Sequence, residues 1–142
     1  MTKYWIATIS KEHILRGVAG SFIQVCHGKQ APLRRMSKGD YIIVYSSKIA
    51  MTDNKKYQQF TAIGQVMDED IYQYHMTEDF NPFRRKIQFM AAKECAIIPL
   101  IGELDFIQNK QKWGYPFRFG LFEISQKDYQ LIASRMTGSC SD

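Results

Sequence analysis

Residues 39–45 read Gly-Asp-Tyr-Ile-Ile-Val-Tyr, a turn dipeptide followed by an uninterrupted run of aromatic and β-branched residues. Gly-Asp favours a turn, and a run of this composition and length is typical of a β-strand. We therefore expect a central strand over residues 41–45. The rest of the chain supplies neighbours for such a strand, so the expected framework is a sheet built around it.

Five other stretches have the composition of strands, with aromatic, β-branched or alternating apolar residues bounded by turn signals. They are Tyr4–Ile9, Phe60–Val66, Arg84–Met90, Cys95–Ile98 and Leu121–Ile124. Gly64 stands inside the second of these stretches and indicates a bulge or a close approach of another backbone. The sequence therefore predicts a sheet of six strands.

Capping chemistry predicts two helices. Ser10 is a suitable N-cap for a helix that begins at Lys11, and Gly17 limits that helix to residues 11–16. Residues 125–128 match the capping signature S-x-x-D, and apolar residues then recur at helical spacing: Tyr129, Ile132, Ala133 and Met136. We expect an amphipathic C-terminal helix that packs on the sheet, and single helical turns near residues 32–36 and 99–107. Residues 20–39 are expected to form a long, basic, functional loop.

Length and composition indicate one globular domain over residues 1–142, with 45% hydrophobic and 23% charged residues. No run approaches ~18 apolar residues, and the first residues lack the basic and apolar segments of a leader, so a cytoplasmic location is expected. A formal net charge of +5 favours a polyanionic partner such as nucleic acid, because contacts to phosphates release counterions.

Catalytic and metal-binding motifs find little support. The three cysteines are widely spaced and form no CxxC pair, so we expect no metal and no cofactor: Cys26, Cys95 and Cys140. Cys26 and His27 are adjacent in a segment expected to be extended and would point to opposite sides, which does not suit a nucleophile and its base. The acidic residues of 68–79 are typical of a solvated linker, and a P-loop is absent. The chain is therefore not expected to be an enzyme.

Aromatic residues beside hydroxyl and amide groups are the strongest functional signal. Capture of a base outside a duplex needs flat apolar walls, worth about 1–3 kcal/mol per stacked base, and a few fixed hydrogen-bonding groups. The chain offers Trp5, Phe22, Tyr45 with Ser46 and Ser47, Phe60, and Trp113 with Tyr115. Packing in a β core explains the same residues in a chain with 13% aromatics, so composition leaves both interpretations open.

A series of short motifs runs through the chain. Its first half consists of Tyr4-Trp5-Ile6, residues 20–25 leading into His27-Gly28-Lys29, residues 33–36, Gly39-Asp40 and Tyr45-Ser46. Its second half consists of residues 60–64, Pro99-Leu100, Leu104 with Phe106-Ile107, Trp113-Gly114 and residues 117–120. In order and spacing this series resembles the EVE domain family from about Tyr4 to Met136, which is more specific than any one motif.

The resemblance implies an α+β, PUA-like fold, a small closed mixed β barrel flanked by short helices and related to the YTH and ASCH domains. It also implies a non-enzymatic nucleic-acid-binding module that captures a base, modified in many cases, of DNA or RNA. A restriction or RNA-modification protein is an implied partner.

The residues that the resemblance implies for the site fall into four groups. The implied pocket walls are Trp5, Phe22 and Tyr45, and the implied polar readers are Gln24, Ser46 and Ser47. The stretch His27-Gly28-Lys29 would let the backbone approach the base, and Arg118 would contact it at the pocket mouth. Apart from these groups, our working hypothesis is that basic residues of the chain hold the flanking phosphates: Lys29, Arg34, Arg35 and Lys38. Where many relatives have a proline after the Tyr-Ser pair, this chain has Ser47-Lys48, which changes the rim.

Two alternatives stay open at this point. A hydrolase of modified nucleosides, like those of the ASCH domains, would need a lysine and a carboxylate in the pocket, for which the chain offers Lys29 or Lys48 with Glu123. A protein-interaction module would use the basic face against an acidic partner, and phosphate-type contacts alone would carry no base information.

Overall fold

A computed structural model describes residues 2–50, 52 and 54–138. Over these residues seven strands form one mixed sheet, and α-helices flank it. The strands are β1 (Tyr4–Thr8), β2 (Phe22–Ile23), β3 (Tyr41–Ser46), β4 (Gln59–Gln73), β5 (Phe83–Phe89), β6 (Cys95–Ala96) and β7 (Leu121–Ile124). The helices are α1 (Lys11–Gly20), α2 (Gln30–Leu33) and α3 (Gln126–Thr137), and 3-10 turns cover Ile98–Leu100 and Tyr115–Phe119. The expected α+β class is confirmed.

The strand order is β2-β5-β4-β3-β1-β7, and β6 pairs separately with β4. β3 lies in the interior, parallel to β1 and antiparallel to β4. This confirms the central position expected for residues 41–45. Because β1 and β3 are parallel, their carboxyl ends, at Thr8 and Ser46, lie at the same end of the sheet.

The sheet is not closed into a barrel, which corrects the closed barrel that the resemblance implied. Its ends are β2 and β7, and among the described residues each of them pairs with one neighbour, β5 and β1 respectively. β2 is only two residues long. Cys26 has a φ of 49°, so the backbone leaves the extended region there and β2 is not prolonged into a strand that pairs with β7. The segments that follow β2 and precede β7 line a cavity instead.

Alternation along the strands builds a core on each face of the sheet. Ile42 and Val44 of β3 belong to one buried cluster, together with Trp5 and Ala7 of β1. Ile43 of β3 and Ile6 of β1 belong to the other, which α3 and the 3-10 turns cover. Both faces of β1 and β3 are therefore buried, as a run of apolar residues without polar alternation requires.

Helix α1 is longer than predicted. Ser10 caps it as expected, with its hydroxyl accepting a 3.4 Å hydrogen bond from the His13 N–H. The helix nevertheless continues through Gly17 and ends at Gly20. A Cβ at residue 17 would lie 2.5 Å from the Phe22 carbonyl oxygen, so this glycine permits a close approach of β2 rather than ending the helix.

The acidic segment after Val66 is only partly a linker, because β4 continues to Gln73. Its pairing with β5 is interrupted between Val66 and Ile71, and the acidic residues 68–70 lie in this irregular part of the strand. The close backbone approach predicted at Gly64 is confirmed, since a Cβ there would lie 2.7 Å from the Gln88 carbonyl oxygen.

The predicted loop over residues 20–39 contains β2 and α2, and a buried arginine of β5 anchors it. Arg85 is 2% exposed. Its guanidinium donates to the carbonyl oxygens of Leu33 (2.8 Å), Met36 (2.7 Å) and Asp68 (2.7 Å). The arginine thereby binds carbonyl groups at the end of α2 and just after it, which ties the basic segment to the sheet.

The C-terminal helix is confirmed as α3. Ser125 caps it, accepting from the Asp128 N–H at 3.1 Å. The buried Asp128 carboxylate in turn accepts from the N–H groups of Asp105 (3.0 Å) and Phe106 (2.9 Å). The helix therefore fixes the loop that precedes the Tyr115–Phe119 turn.

Candidate nucleobase site

A cavity of about 630 Å³ opens at the carboxyl ends of β1 and β3. It is lined by residues 8–10, 13, 24–28, 47, 48, 80 and 117–120. These residues come from the start of α1, the segment after β2, the end of β3, the β4–β5 hairpin and the approach to β7. The volume is within the range of small-molecule sites, roughly 300–1,000 Å³.

A left-handed turn forms one wall of the cavity. Cys26, His27 and Gly28 have φ values of 49°, 60° and 81°, and the Gly28 N–H closes the turn on the Val25 carbonyl at 2.9 Å. Two consecutive non-glycine residues in this region cost about 1–2 kcal/mol each. Such strain is retained only where surrounding packing enforces it, and it is concentrated at functional sites.

Two close contacts enforce the turn. A Cβ at residue 28 would lie 2.5 Å from the Cβ of Pro82, and one at residue 120 would lie 2.6 Å from the Cys26 Sγ. The turn is thus held between the β4–β5 hairpin and Gly120. The position that a Cβ of residue 28 would occupy lies against Pro82 and the Phe80 ring. Glycine is therefore required here by the close packing of two protein segments.

Three phenylalanines give the cavity flat apolar walls. Phe117 is 8% exposed and stacks on Tyr45, with ring centres 4.1 Å apart. Phe119 and Phe80 are 57% and 38% exposed and stand at the rim. Phe117 and Phe119 belong to a motif that the sequence series contains, but only its arginine was singled out. Phe80 directly follows the presumed linker of residues 68–79, where no sequence signal marked it.

The three aromatic residues that the resemblance implied as walls lie outside the cavity lining. Trp5 is 2% exposed, and its indole N–H donates to the buried Asp40 carboxylate at 2.9 Å. Tyr45 is 2% exposed and lies behind Phe117. Phe22 is 8% exposed and is covered by the Arg84 guanidinium, whose central carbon is 3.7 Å from the ring centre.

Of the three predicted polar readers, two line the cavity and one does not. Gln24 and Ser47 line the cavity. Ser46 is fully buried, and its hydroxyl bonds to the Ile9 carbonyl at 2.6 Å and to the Thr61 hydroxyl at 2.8 Å. Its hydroxyl therefore joins β3 to the residue that follows β1 and to β4.

Two further polar groups in the lining were not anticipated. The Thr8 Oγ1 and the His13 Nε2 are buried and make no hydrogen bond to the described residues. Buried polar atoms without partners are uncommon and call for an explanation, of which a missing ligand or water is one. Burial lowers the pKa of His13, and the nearby Arg16 and Arg84 lower it further, so the neutral imidazole is favoured. No sequence pattern marks either residue, because both lie beside a helix start.

The charged residues of the lining are basic. Lys48 and Arg118 line the cavity, whereas the described lining residues include no Asp or Glu. Lys29 is exposed and lies outside the lining, and Glu123 is exposed on β7, also outside it. The structure therefore does not bring a lysine and a carboxylate together in the cavity.

The predicted phosphate contacts differ in how free they are. Arg34 and Lys38 are exposed. Arg35 donates to the Leu121 carbonyl at 3.1 Å, and its guanidinium carbon is 5.1 Å from the centre of the Trp5 ring. Arg35 is thus also a structural residue that joins the segment after α2 to β1 and β7.

Residues 2–50, 52 and 54–138 contain no group of three or more His, Cys, Asp and Glu placed to hold a metal ion. In the same residues no helix combines the length and apolar character needed to cross a membrane. Cys140 lies outside the described residues.

The family model of the EVE domain matches residues 3–135. The chain belongs to the EVE domain family. This EVE domain is 51% identical over 127 residues to the UPF0310 protein in the gntR 5′ region of Bacillus licheniformis, covering 89% of this chain and 86% of that protein. It is 49% identical over 135 residues to a UPF0310 protein of Mycobacterium avium, covering 95% of this chain and 98% of that protein.

Solved structures show the same fold at low identity. Rpa0253 from Rhodopseudomonas palustris superposes on this EVE domain with a TM-score of 0.60 at 12% identity, covering 99% of this chain and 97% of that chain. The MmI1 YTH domain superposes with a TM-score of 0.53 at 12% identity, covering 94% and 93%. The likeness confirms the relation of the fold to YTH domains.

Proposed function

We propose that this EVE domain is a single-domain, non-enzymatic nucleic-acid-binding module that takes one unpaired or flipped nucleobase into the cavity. The observation that carries the proposal is the lining itself. Phenylalanine walls, unpartnered buried polar atoms and a basic rim stand together in one cavity. Base capture needs each of these three elements: stacking, a fixed hydrogen-bonding edge and phosphate neutralisation.

The flat rings of the lining support a base as the ligand. Phe119 and Phe80 are the exposed rings, and Phe117 is held rigid by its stack on Tyr45. Of the residues implied by the resemblance, Tyr45 would then support a wall, while Trp5 would secure β1 and β3 beneath the site. Phe22 would act through Arg84. In this reading the implied walls become the supports of the site.

Charge favours the same ligand. The described lining has lysine and arginine but no carboxylate. A polyanion that enters the cavity would therefore meet no carboxylate among the described lining residues. Arg118 and Lys48 would meet the phosphates next to the captured base, and the exposed Arg34, Lys38 and Lys29 would extend the contact along the strand.

Membership of the EVE domain family supports a modified base as the ligand, since that is what the resemblance implies for its members. One methyl group in an apolar pocket contributes only about 1–3 kcal/mol, so strong discrimination would depend on hydrogen bonds from the lining. Gln24, Thr8 and His13 are the groups in the lining that could make them.

A binding screen tests the proposal. Oligonucleotides of one sequence, single-stranded and duplex, DNA and RNA, would carry a central cytosine or adenine that is unmodified, methylated, hydroxymethylated or glucosylated, all at one salt concentration. We expect one member to bind more tightly than the rest, and Phe119→Ala to weaken it.

Two results would contradict the proposal. Equal affinity across the panel that falls with salt and ignores Phe119→Ala would favour a basic protein-interaction surface. Release of a product from acylated cytidines that is abolished by Lys48→Ala would instead favour a nucleoside hydrolase.

A further inference from the structure

Arg84 lies in a sandwich of two aromatic rings next to the cavity. Its guanidinium carbon is 3.7 Å from the centre of the Phe22 ring and 3.9 Å from that of Tyr74. The arginine is 9% exposed. Planar guanidinium groups stack on aromatic faces and keep a fixed orientation there, which a lysine ammonium does not do.

Among the described residues, Arg84 makes one hydrogen bond, and it goes to Gln24. The Arg84 Nε donates to the Gln24 Oε1 at 3.0 Å. Gln24 is 6% exposed and lines the cavity. The strand register explains the contact: Ile23 pairs with Arg85, so the residues that follow and precede them, Gln24 and Arg84, are adjacent across the sheet.

This bond fixes which end of the amide is free. A guanidinium has N–H donors and no acceptor, so only the carbonyl oxygen of a glutamine can bind it. Rotating the Gln24 amide by half a turn would place its NH₂ group against the donors of Arg84. The Nε2 therefore remains on the other side, and it makes no hydrogen bond to the described residues.

We propose that Gln24 reads the captured base as a donor only, against an acceptor nitrogen of the base edge, and that Arg84 is the positioning residue that fixes this polarity. The inference rests on the proposed function. Unpaired adenine and cytosine expose an acceptor ring nitrogen beside an exocyclic amine on their Watson–Crick edge, whereas guanine and thymine carry an N–H at that ring position. Thr8 and His13, two lining residues whose Oγ1 and Nε2 make no hydrogen bond to the described residues, are the candidate acceptors for the amine.

Base analogues test the reading directly. The probes are single-stranded oligonucleotides of one sequence whose central base is adenine, 1-deazaadenine, cytosine or 3-deazacytosine, so that a C–H replaces the ring nitrogen in each analogue. Wild-type protein should bind the better natural base about 10-fold more tightly than its deaza analogue, the value of one good hydrogen bond. The measured quantity is this affinity ratio.

Variants of Gln24 and Arg84 test whether these two residues are responsible for the affinity ratio. Gln24→Met keeps the length of the side chain but removes the donor, and the ratio should fall to about 1. Arg84→Met frees the amide to rotate and should also reduce the ratio, whereas Arg84→Lys should restore most of it, because an ammonium still donates to the Gln24 Oε1. Lys86→Met is the control, since Lys86 is exposed on the same strand and carries the same charge.

A second variant, in which residue 24 presents acceptors instead of a donor, tests the inference if Arg84→Met does not fold. Gln24→Glu keeps the bond to Arg84 but presents only acceptors to the cavity. It should shift the preference from adenine and cytosine toward guanine and thymine, whose ring N–H would then find a partner. A purely structural role of Arg84 would weaken all probes equally and leave every ratio unchanged.

The results separate the two proposals. If wild-type protein binds none of these probes nor the modified panel, the proposed function fails and the inference fails with it. If wild-type protein binds but the deaza ratio is near 1, or Arg84→Met keeps the wild-type ratio, the inference alone is overturned. NMR of the free protein adds a ligand-independent check: the side-chain amide protons of Gln24 should shift and exchange faster with water in Arg84→Met, and unchanged signals would also overturn the inference.

Discussion

The indole N–H of Trp5 donates a 2.9 Å hydrogen bond to the carboxylate of Asp40, 35 residues along the chain. Both side chains are buried, and the same carboxylate accepts from the backbone N–H groups of Ser37 (2.8 Å) and Lys3 (3.0 Å). One acidic side chain therefore joins the start of β1 to the turn before β3. Trp5 was implied as a wall of the base pocket, but its indole N–H instead forms part of this junction.

Replacing Asp40 by alanine should destabilise the fold. The change leaves three donors without their acceptor, one of them the buried indole N–H, and we expect the free energy of unfolding to fall by about 2–4 kcal/mol. Urea denaturation measures it. Asp79→Ala removes an exposed acid and should stay within about 0.5 kcal/mol of wild type. Equal effects of the two changes would contradict a structural role for the junction.

Gly28→Ala should cost more than a positive φ alone explains. The new Cβ would lie 2.5 Å from Pro82, in addition to adopting a φ of 81°, so we expect a loss of about 2 kcal/mol or more in unfolding free energy. Gly39→Ala is the matched control, because Gly39 also has a positive φ, 91°, but nothing within 4 Å of the added Cβ. It should cost about 1 kcal/mol. Equal losses would show that the contact with Pro82 is unimportant.

Phe119→Ala should separate binding from stability. The ring is 57% exposed at the cavity rim, so its removal should change the unfolding free energy little but weaken binding of the preferred oligonucleotide by about 1–3 kcal/mol, the value of one stacked base. Fluorescence anisotropy at fixed salt measures the affinity. Ile98→Ala removes a similarly exposed apolar side chain, 53%, outside the cavity and should leave binding unchanged.

The salt dependence of binding should report the rim charges. Replacing Arg118 or Lys48 by alanine removes one phosphate contact each, and the slope of log K against log salt should become shallower by about 0.7–0.9 per residue. Lys127→Ala is the control. Lys127 lies on α3, outside the cavity lining, and forms an ion pair with Asp105. An unchanged slope for both rim variants would place the phosphates elsewhere.

His13 should make stability depend on pH below neutrality. Burial and the neighbouring Arg16 and Arg84 lower the pKa of His13 in the folded state below its ordinary value of 6.5. The unfolded chain then binds the proton more readily, so this contribution to stability is complete above pH 6.5 and is lost as pH falls through the folded-state pKa. Urea unfolding of wild type and His13→Gln between pH 8 and about 5 should show a smaller loss in the variant. Parallel curves would contradict the assignment.

Much of the fold could be predicted because local signals and burial agree. Residues 41–45 and 4–9 are apolar without alternation, and both became interior strands with two buried faces. Ser10 and Ser125 cap the helices that they were expected to cap, since a capping hydroxyl acts on N–H groups only two or three residues away.

The wrong predictions concern residues whose conformation depends on distant neighbours. Gly17 was expected to end α1, but the helix continues to Gly20. Residue 17 is glycine because a Cβ there would collide with the Phe22 carbonyl oxygen. β2 was missed because two residues are too few for a periodic pattern, and pairing with β5 defines it. Closure into a barrel failed at Cys26, where the left-handed turn depends on contacts to Gly120 and the hairpin at Pro82.

For the candidate site, the sequence by itself determined the family, the basic balance and the aromatic content, because motif order and composition are properties of the chain. Only the tertiary structure decided which aromatic rings face the cavity. Alternation along a strand separates the two faces of a sheet, but it does not tell a packed ring such as Trp5 from an exposed one such as Phe119. The polarity of Gln24 was likewise invisible, since it depends on the guanidinium of Arg84, 60 residues away, which has donors only.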